Sequence, residues 1–250
     1  MSLTKTSLFN VTKTQYQYKL KAYIGFFGAL AAVQAIAVLL SLGGMGGAGT
    51  GTEMIQFSIK LFSNEIIVLL TFFWAVVVSV ALTTKGYRDG DAVFVSNRLS
   101  SNLANGAFLL TCCLAGGLTA VLSGVVLRLV LFFSTGGAGI VSQNFFMTPA
   151  ELAVGTAVTA LYLLLLGTAG YLCGMLVQYS KVFVVILPSL FFGLLILVGR
   201  DAGIREMLLP PINFVVQESS LILLALKIIL IAAVMFGIAL LLSNRAEVRK

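Results

Sequence analysis

The sequence predicts an all-α polytopic membrane protein, with six transmembrane helices, an N-terminal amphipathic interfacial helix and a short cytoplasmic helix between the second and third spans. Apolar runs of membrane-spanning length recur six times along the 250 residues. Only 10% of the residues are charged, where soluble domains carry about 25%, and the mean hydropathy is +1.06. Backbone polar groups must be paired inside lipid, which leaves only helices or closed barrels. Barrel strands run about 10 residues with alternating polarity. These runs are roughly twice as long and apolar on every side, as helices of about 20 residues require.

The whole chain, 1–250, reads as one transmembrane domain. Residues 1–21 mix Leu3, Leu8, Phe9, Val11, Tyr16 and Tyr18 with four lysines. That mixture suits an amphipathic segment on the inner leaflet and is too long and polar for a cleavable signal leader. The spans fall at 22–42, 66–83, 104–133, 152–177, 182–198 and 221–242. The third is long for a simple crossing, so it is expected to tilt or to extend past the bilayer, with Ser100 or Asn102 capping its start. After the first span, 43–51 reads as a glycine-rich flexible connection. Residues 199–220 form a larger outer element in which Pro210 and Pro211 break any helix.

Net charge is +7, but the basic residues sit at the ends of apolar runs, where they orient helices, and no basic readout face for nucleic acid is visible. With the N-terminus inside, eleven Lys and Arg residues fall on cytoplasmic segments and three (Lys60, Arg200 and Arg205) outside. Basic residues prefer the cytoplasmic side, so both termini are expected in the cytoplasm, as an even number of spans requires.

Several chemistries are excluded. Histidine is absent, which removes the commonest general base and metal ligand. Cys112, Cys113 and Cys173 lie inside apolar runs without CxxC spacing and read as small core or lipid-facing residues rather than a metal site. Gly44, Gly46 and Gly49 spell GxGxxG, but a dinucleotide site needs a strand before and a helix after them in a βαβ unit. No GxxxxGK[ST] occurs, so ATP cannot be held by that route. Asp89 and Asp91, two apart on a loop, lack the third group or pocket that catalysis needs, and Asp91 reads as a cap for a short helix.

Small residues recur at helical spacing: Gly116, Ala120 and Gly124 on the third span, Gly170 and Gly174 on the fourth. Such stripes let helix backbones approach closely, at a subunit interface or, more simply, within the bundle. Lys227 is the ninth residue of the apolar stretch 219–242, about 13 Å from its outer end at the helical rise. A charge at that depth is a functional candidate by default, so Lys227 is a candidate for the translocation route. Arg128, nearer an outer end, is a second one.

The polar insert 85–102 carries the most chemistry. Gly86 and Gly90 punctuate it, and Val93, Phe94, Val95 and Leu99 give it an apolar side. It suits a short helix parallel to the membrane that offers an aromatic knob with flanking charges to a soluble partner, or else a linker resting on lipid headgroups.

Tyr87-Arg88-Asp89, followed by Phe94-Val95-Ser96-Asn97-Arg98-Leu99-Ser100-Ser101-Asn102, is similar to the first cytoplasmic loop of small ABC-exporter permeases of the Gram-positive drug, lipid and peptide type. The layout of the whole chain resembles that family too. The resemblance implies a coupling loop at 84–103 whose Arg88, Asp89, Phe94, Asn97 and Arg98 contact a separate ATPase subunit. It also implies ATP and Mg bound on that partner and none on this chain, a second permease copy or homologue, and export of amphipathic peptides, drugs or lipid-like substrates across a bacterial plasma membrane. The chain itself would not be an enzyme. The competing readings are an ion-coupled carrier working alone, which would need midplane carboxylates or broken helices, and a non-transporting scaffold or sensor subunit.

Overall fold

Long apolar stretches without strong breakers become helices, and the computed structural model shows them in chain order. It describes residues 8–43, 47–52, 55–60, 64–84, 86–87, 98–135, 148–200 and 221–245, with nine positions between 203 and 220. The helices are α1 (Leu8–Ala22), α2 (Ile24–Leu42), α3 (Glu65–Thr83), α4 (Arg98–Thr135), α5 (Pro149–Tyr179), α6 (Phe183–Arg200) and α7 (Leu221–Arg245). Six of them, α2 to α7, are long and apolar enough to cross a membrane. The chain is an all-α polytopic membrane protein.

Two boundaries differ from expectation for physical reasons. Ser100 and Asn102 do not cap α4. The helix already begins at Arg98, and both residues lie inside it and are buried. Polar side chains here mark helix contacts rather than a helix end. At 38 residues, α4 is about 57 Å long and outruns a hydrocarbon core of about 30 Å. Helix α5 begins three residues before the apolar run, because Thr148 and Glu151 form a reciprocal capping box. The Thr148 N–H donates to Glu151 Oε2 over 2.9 Å, and the Glu151 N–H to Thr148 Oγ1 over 3.3 Å. Pro149 takes the first helical position, where its missing N–H costs nothing.

The stretch read as a flexible connection is partly a strand. Gly47–Thr52 (β1) pairs antiparallel with Ile55–Lys60 (β2), with Thr52 opposite Ile55 and Gly47 opposite Lys60. The alternating Ile55-Gln56-Phe57-Ser58-Ile59 is a strand pattern, and pairing with it satisfies the backbone of the glycine-rich partner. Gly49 thus lies in a hairpin followed by α3, not in a βαβ unit.

The helices divide into two compact units, one of 23–75 and 112–163, the other of 1–22, 76–111 and 164–250. In the first, Ala37, Ile67, Ala120, Leu127 and Leu131 form a buried core against which Val38, Leu42, Ile66 and Leu70 pack. A Cβ on Gly117 would lie 2.9 Å from the Ala160 nitrogen and 3.0 Å from the Thr156 carbonyl oxygen, so α4 and α5 touch backbone to backbone there. Gln34, near the middle of α2, donates to Thr71 (3.3 Å) and Thr119 (3.1 Å) and accepts from Ser123 (3.4 Å), which ties α2 to α3 and α4. The Trp74 indole N–H donates to the Phe26 carbonyl over 3.1 Å.

In the second unit the core holds Val78, Leu82, Ala104, Phe108, Leu109, Tyr171, Met175 and Ile228. Gly106 admits the Phe236 ring, which also packs on Tyr171 with centroids 5.4 Å apart. Helix α6 buries none of its apolar window. Val184, Val185, Ile186, Leu190, Phe191, Phe192, Ile196 and Leu197 on it are exposed, as lipid permits.

Candidate functional site: a polar relay beside the insert

Helix α1 docks through polar residues. Its inward face runs through Gln15 and Lys19, each 1% exposed. Val11, Thr12, Tyr16 and Leu20 at its margins are half-buried, while Phe9, Lys13, Gln17 and Lys21 face outward. The Tyr16 hydroxyl lies 2.8 Å from Thr111 Oγ1 on α4.

From Lys19 a chain of hydrogen bonds runs across four helices. The Lys19 ammonium donates to Asn105 Oδ1 on α4. The Asn105 amide donates to the Tyr171 hydroxyl on α5 over 3.3 Å. That hydroxyl donates to Asn102 Oδ1 over 3.1 Å, and the Asn102 amide donates to Ser243 Oγ on α7 over 3.0 Å. Every donor points the same way along the chain, so each bond polarises the next. Asn102 and Asn105 stand one turn apart on α4 and so share a face, with the buried Lys19 bonded to Asn105. Residues 98–102, the end of the insert, are the start of α4 and include Asn102.

The relay holds one ammonium, two amides and two hydroxyls in a fixed order, each orienting the next. Among the described residues no group of three or more His, Cys, Asp or Glu could hold a metal. Cys112 and Cys113 are buried, Cys173 is half-buried, and all three are free.

The residues singled out from the sequence separate clearly. Arg88, Asp89, Phe94 and Asn97 lie outside the described residues, and so does Asp91. Arg98 is the first residue of α4. Lys227 has definite partners: its ammonium pairs with the Glu218 carboxylate, donates to the Phe214 carbonyl over 3.1 Å and sits 3.6 Å from the centre of the Phe214 ring. Helical side chains lean toward the N-terminus, so Lys227 reaches back to these groups and ties Phe214 and Glu218 to α7. Arg128 is half-buried on α4.

The small-residue stripes pack within the chain. Gly116 faces Leu163, Trp74 and Thr71; Ala120 is in the core; Gly124 faces the Asn64 amide. Gly170 faces Ser79 and the Val76 carbonyl, and Gly174 faces Thr83. Sequence reasoning missed the relay itself. Its signals were Asn102 and Asn105 at i, i+3 and a tyrosine within an apolar run, since polar side chains in membrane helices face the bundle interior.

Comparison with protein-family models, with curated proteins and with solved structures finds no match for this chain.

Proposed function

We propose that this chain is the membrane-spanning subunit of an ATP-driven exporter in a bacterial plasma membrane, with both termini cytoplasmic. ATP and Mg would be held by a separate ATPase subunit that grips the insert through Arg88, Asp89, Phe94, Asn97 and Arg98. The observation that carries the reading is the junction of the insert with the relay. The last five residues of the insert, 98–102, are the first five of a 38-residue helix, and that helix is bonded within its first three turns to α1, α5 and α7. A rigid element that meets a soluble motor at one end and three other helices just inside it can turn closure of the motor into helix displacement. Coupling of this kind needs an element with two arrangements biased from both sites.

Two further features support the reading. Lys227 is engaged with Glu218 and Phe214 at the outer end of α7, which removes the deep charge that an ion-coupled carrier would use. The uncovered α6 leaves a surface on which a second copy of the chain would pack. The outer element and hairpin are small, which suits amphipathic or lipid-like cargo arriving from the membrane.

The test is recovery of an ATPase subunit with the chain from detergent, for the intact insert, a scrambled insert and Phe94→Asp. Loss of the partner and of stimulated ATP hydrolysis with normal membrane insertion is the expected result. Unchanged recovery and stimulation in Phe94→Asp, or gradient-driven transport by the purified chain without ATP, would overturn it.

A further inference from the structure

Helix α1 docks at a disadvantage. Gln15 is 1% exposed, and neither its amide nitrogen nor its amide oxygen meets a hydrogen-bond partner among the described residues. One turn away, Lys19 is equally buried and bonded to Asn105. A helix that docks in the usual way buries an apolar stripe; this one buries a lysine and an amide whose hydrogen bonds to water are lost on docking. Its outward face carries Lys13 and Lys21, with Phe9 (72% exposed) and Tyr18 (41%) on its flanks. The helix ends at a joint: Tyr23 leaves helical geometry (φ −107°, ψ 26°), and beyond it no other described residue would crowd a Cβ at Gly25 or Gly28.

We infer that α1 is a latch responsive to anionic phospholipid, exchanging between the docked position and one released onto the membrane surface. On release Gln15 regains polar partners, and Lys19 joins Lys13 and Lys21 in facing the headgroups, with Phe9 and Tyr18 as aromatic anchors. Each lysine brought to an anionic surface is worth about fivefold in affinity, so transfer of Lys19 alone shifts the balance by that factor. Release breaks the Lys19–Asn105 bond, so the lipid composition sets whether α1 is tied to α4.

The experiment uses the full unmodified chain in vesicles of phosphatidylcholine, with or without phosphatidylglycerol. Brief acetylation followed by mass spectrometry gives the reactivity of Lys19 relative to Lys13 and Lys21, the exposed internal standards. The expected ratio is at least tenfold below unity in the neutral vesicles and rises about fivefold with the anionic lipid. Gln15→Leu, which removes the unpaired amide and keeps the volume, lowers the ratio in anionic vesicles. A ratio independent of lipid, or one that Gln15→Leu leaves unchanged, would overturn the latch. No ATPase or cargo is involved, so the outcome is separate from that of the exporter reading.

Discussion

The Tyr171 hydroxyl donates to Asn102 over 3.1 Å and at the same time accepts from Asn105, so one phenol satisfies two amides a turn apart on a neighbouring helix. Both residues are buried, Tyr171 at 1% exposure and Asn102 at 8%. The relay is therefore most vulnerable at its centre.

Tyr171→Phe keeps the ring that packs on Phe236 and removes the hydroxyl, which leaves one acceptor and one donor buried and unmet. Each such loss costs about 1–3 kcal/mol. Thermal unfolding of the purified protein is expected to move to lower temperature, and Asn102→Leu in the Tyr171→Phe background to restore part of the loss. An unaltered melting temperature for Tyr171→Phe would mean that the relay contributes nothing to stability.

Gln34 makes a contrasting case. The two threonine hydroxyls it donates to also donate to carbonyls one turn back on their own helices, Thr71 to Ile67 and Thr119 to Ala115, each over 2.7 Å. Replacement by leucine leaves both threonines satisfied and removes only the long 3.4 Å acceptor of the half-buried Ser123, so the loss should stay near the ~0.6 kcal/mol average for interhelical hydrogen bonds in membranes. A double-mutant cycle between Gln34→Leu and Thr119→Val reads this directly.

Two helix glycines should respond in opposite ways to alanine. At Gly117 a methyl would meet backbone atoms of α5 at 2.9–3.0 Å, which no side-chain rotation relieves, so Gly117→Ala should destabilise by about 1–3 kcal/mol. At Gly193 on α6 an added Cβ would meet nothing within 4 Å among the described residues outside its own helix backbone, and Gly193→Ala should be neutral or slightly stabilising, since glycine is the poorer helix former. Paired denaturation measurements on the two variants test the packing.

Lys227 and Glu218 are each 19% exposed, so their pairing is screened less than a surface bridge and is supported by the Phe214 ring. A Lys227→Met, Glu218→Gln cycle is expected to give a coupling energy of about 0.5–3 kcal/mol. Either single variant should loosen the segment before α7, measured as faster proteolysis between 201 and 220. A coupling near zero would make the bridge incidental.

Helix number, order and approximate ends were legible in the sequence because spanning a bilayer imposes one requirement on each segment separately: enough consecutive apolar residues to satisfy length and backbone pairing. Even the early start of α5 was written locally, in Thr148-Pro149-Ala150-Glu151. The roles of the polar residues were not local. Lys19 and Asn105 are separated by 86 positions and Asn102 and Ser243 by 141, so nothing near any one of them announces its partner. Lys19 reads in sequence as one more positive-inside lysine, and Asn102 as a helix cap. Only the packed bundle decides otherwise, because a buried polar group is tolerable when three-dimensional neighbours supply its hydrogen bonds. Composition determined that this chain lives in a membrane as a set of helices, and the tertiary structure decided which few polar side chains bind those helices to one another.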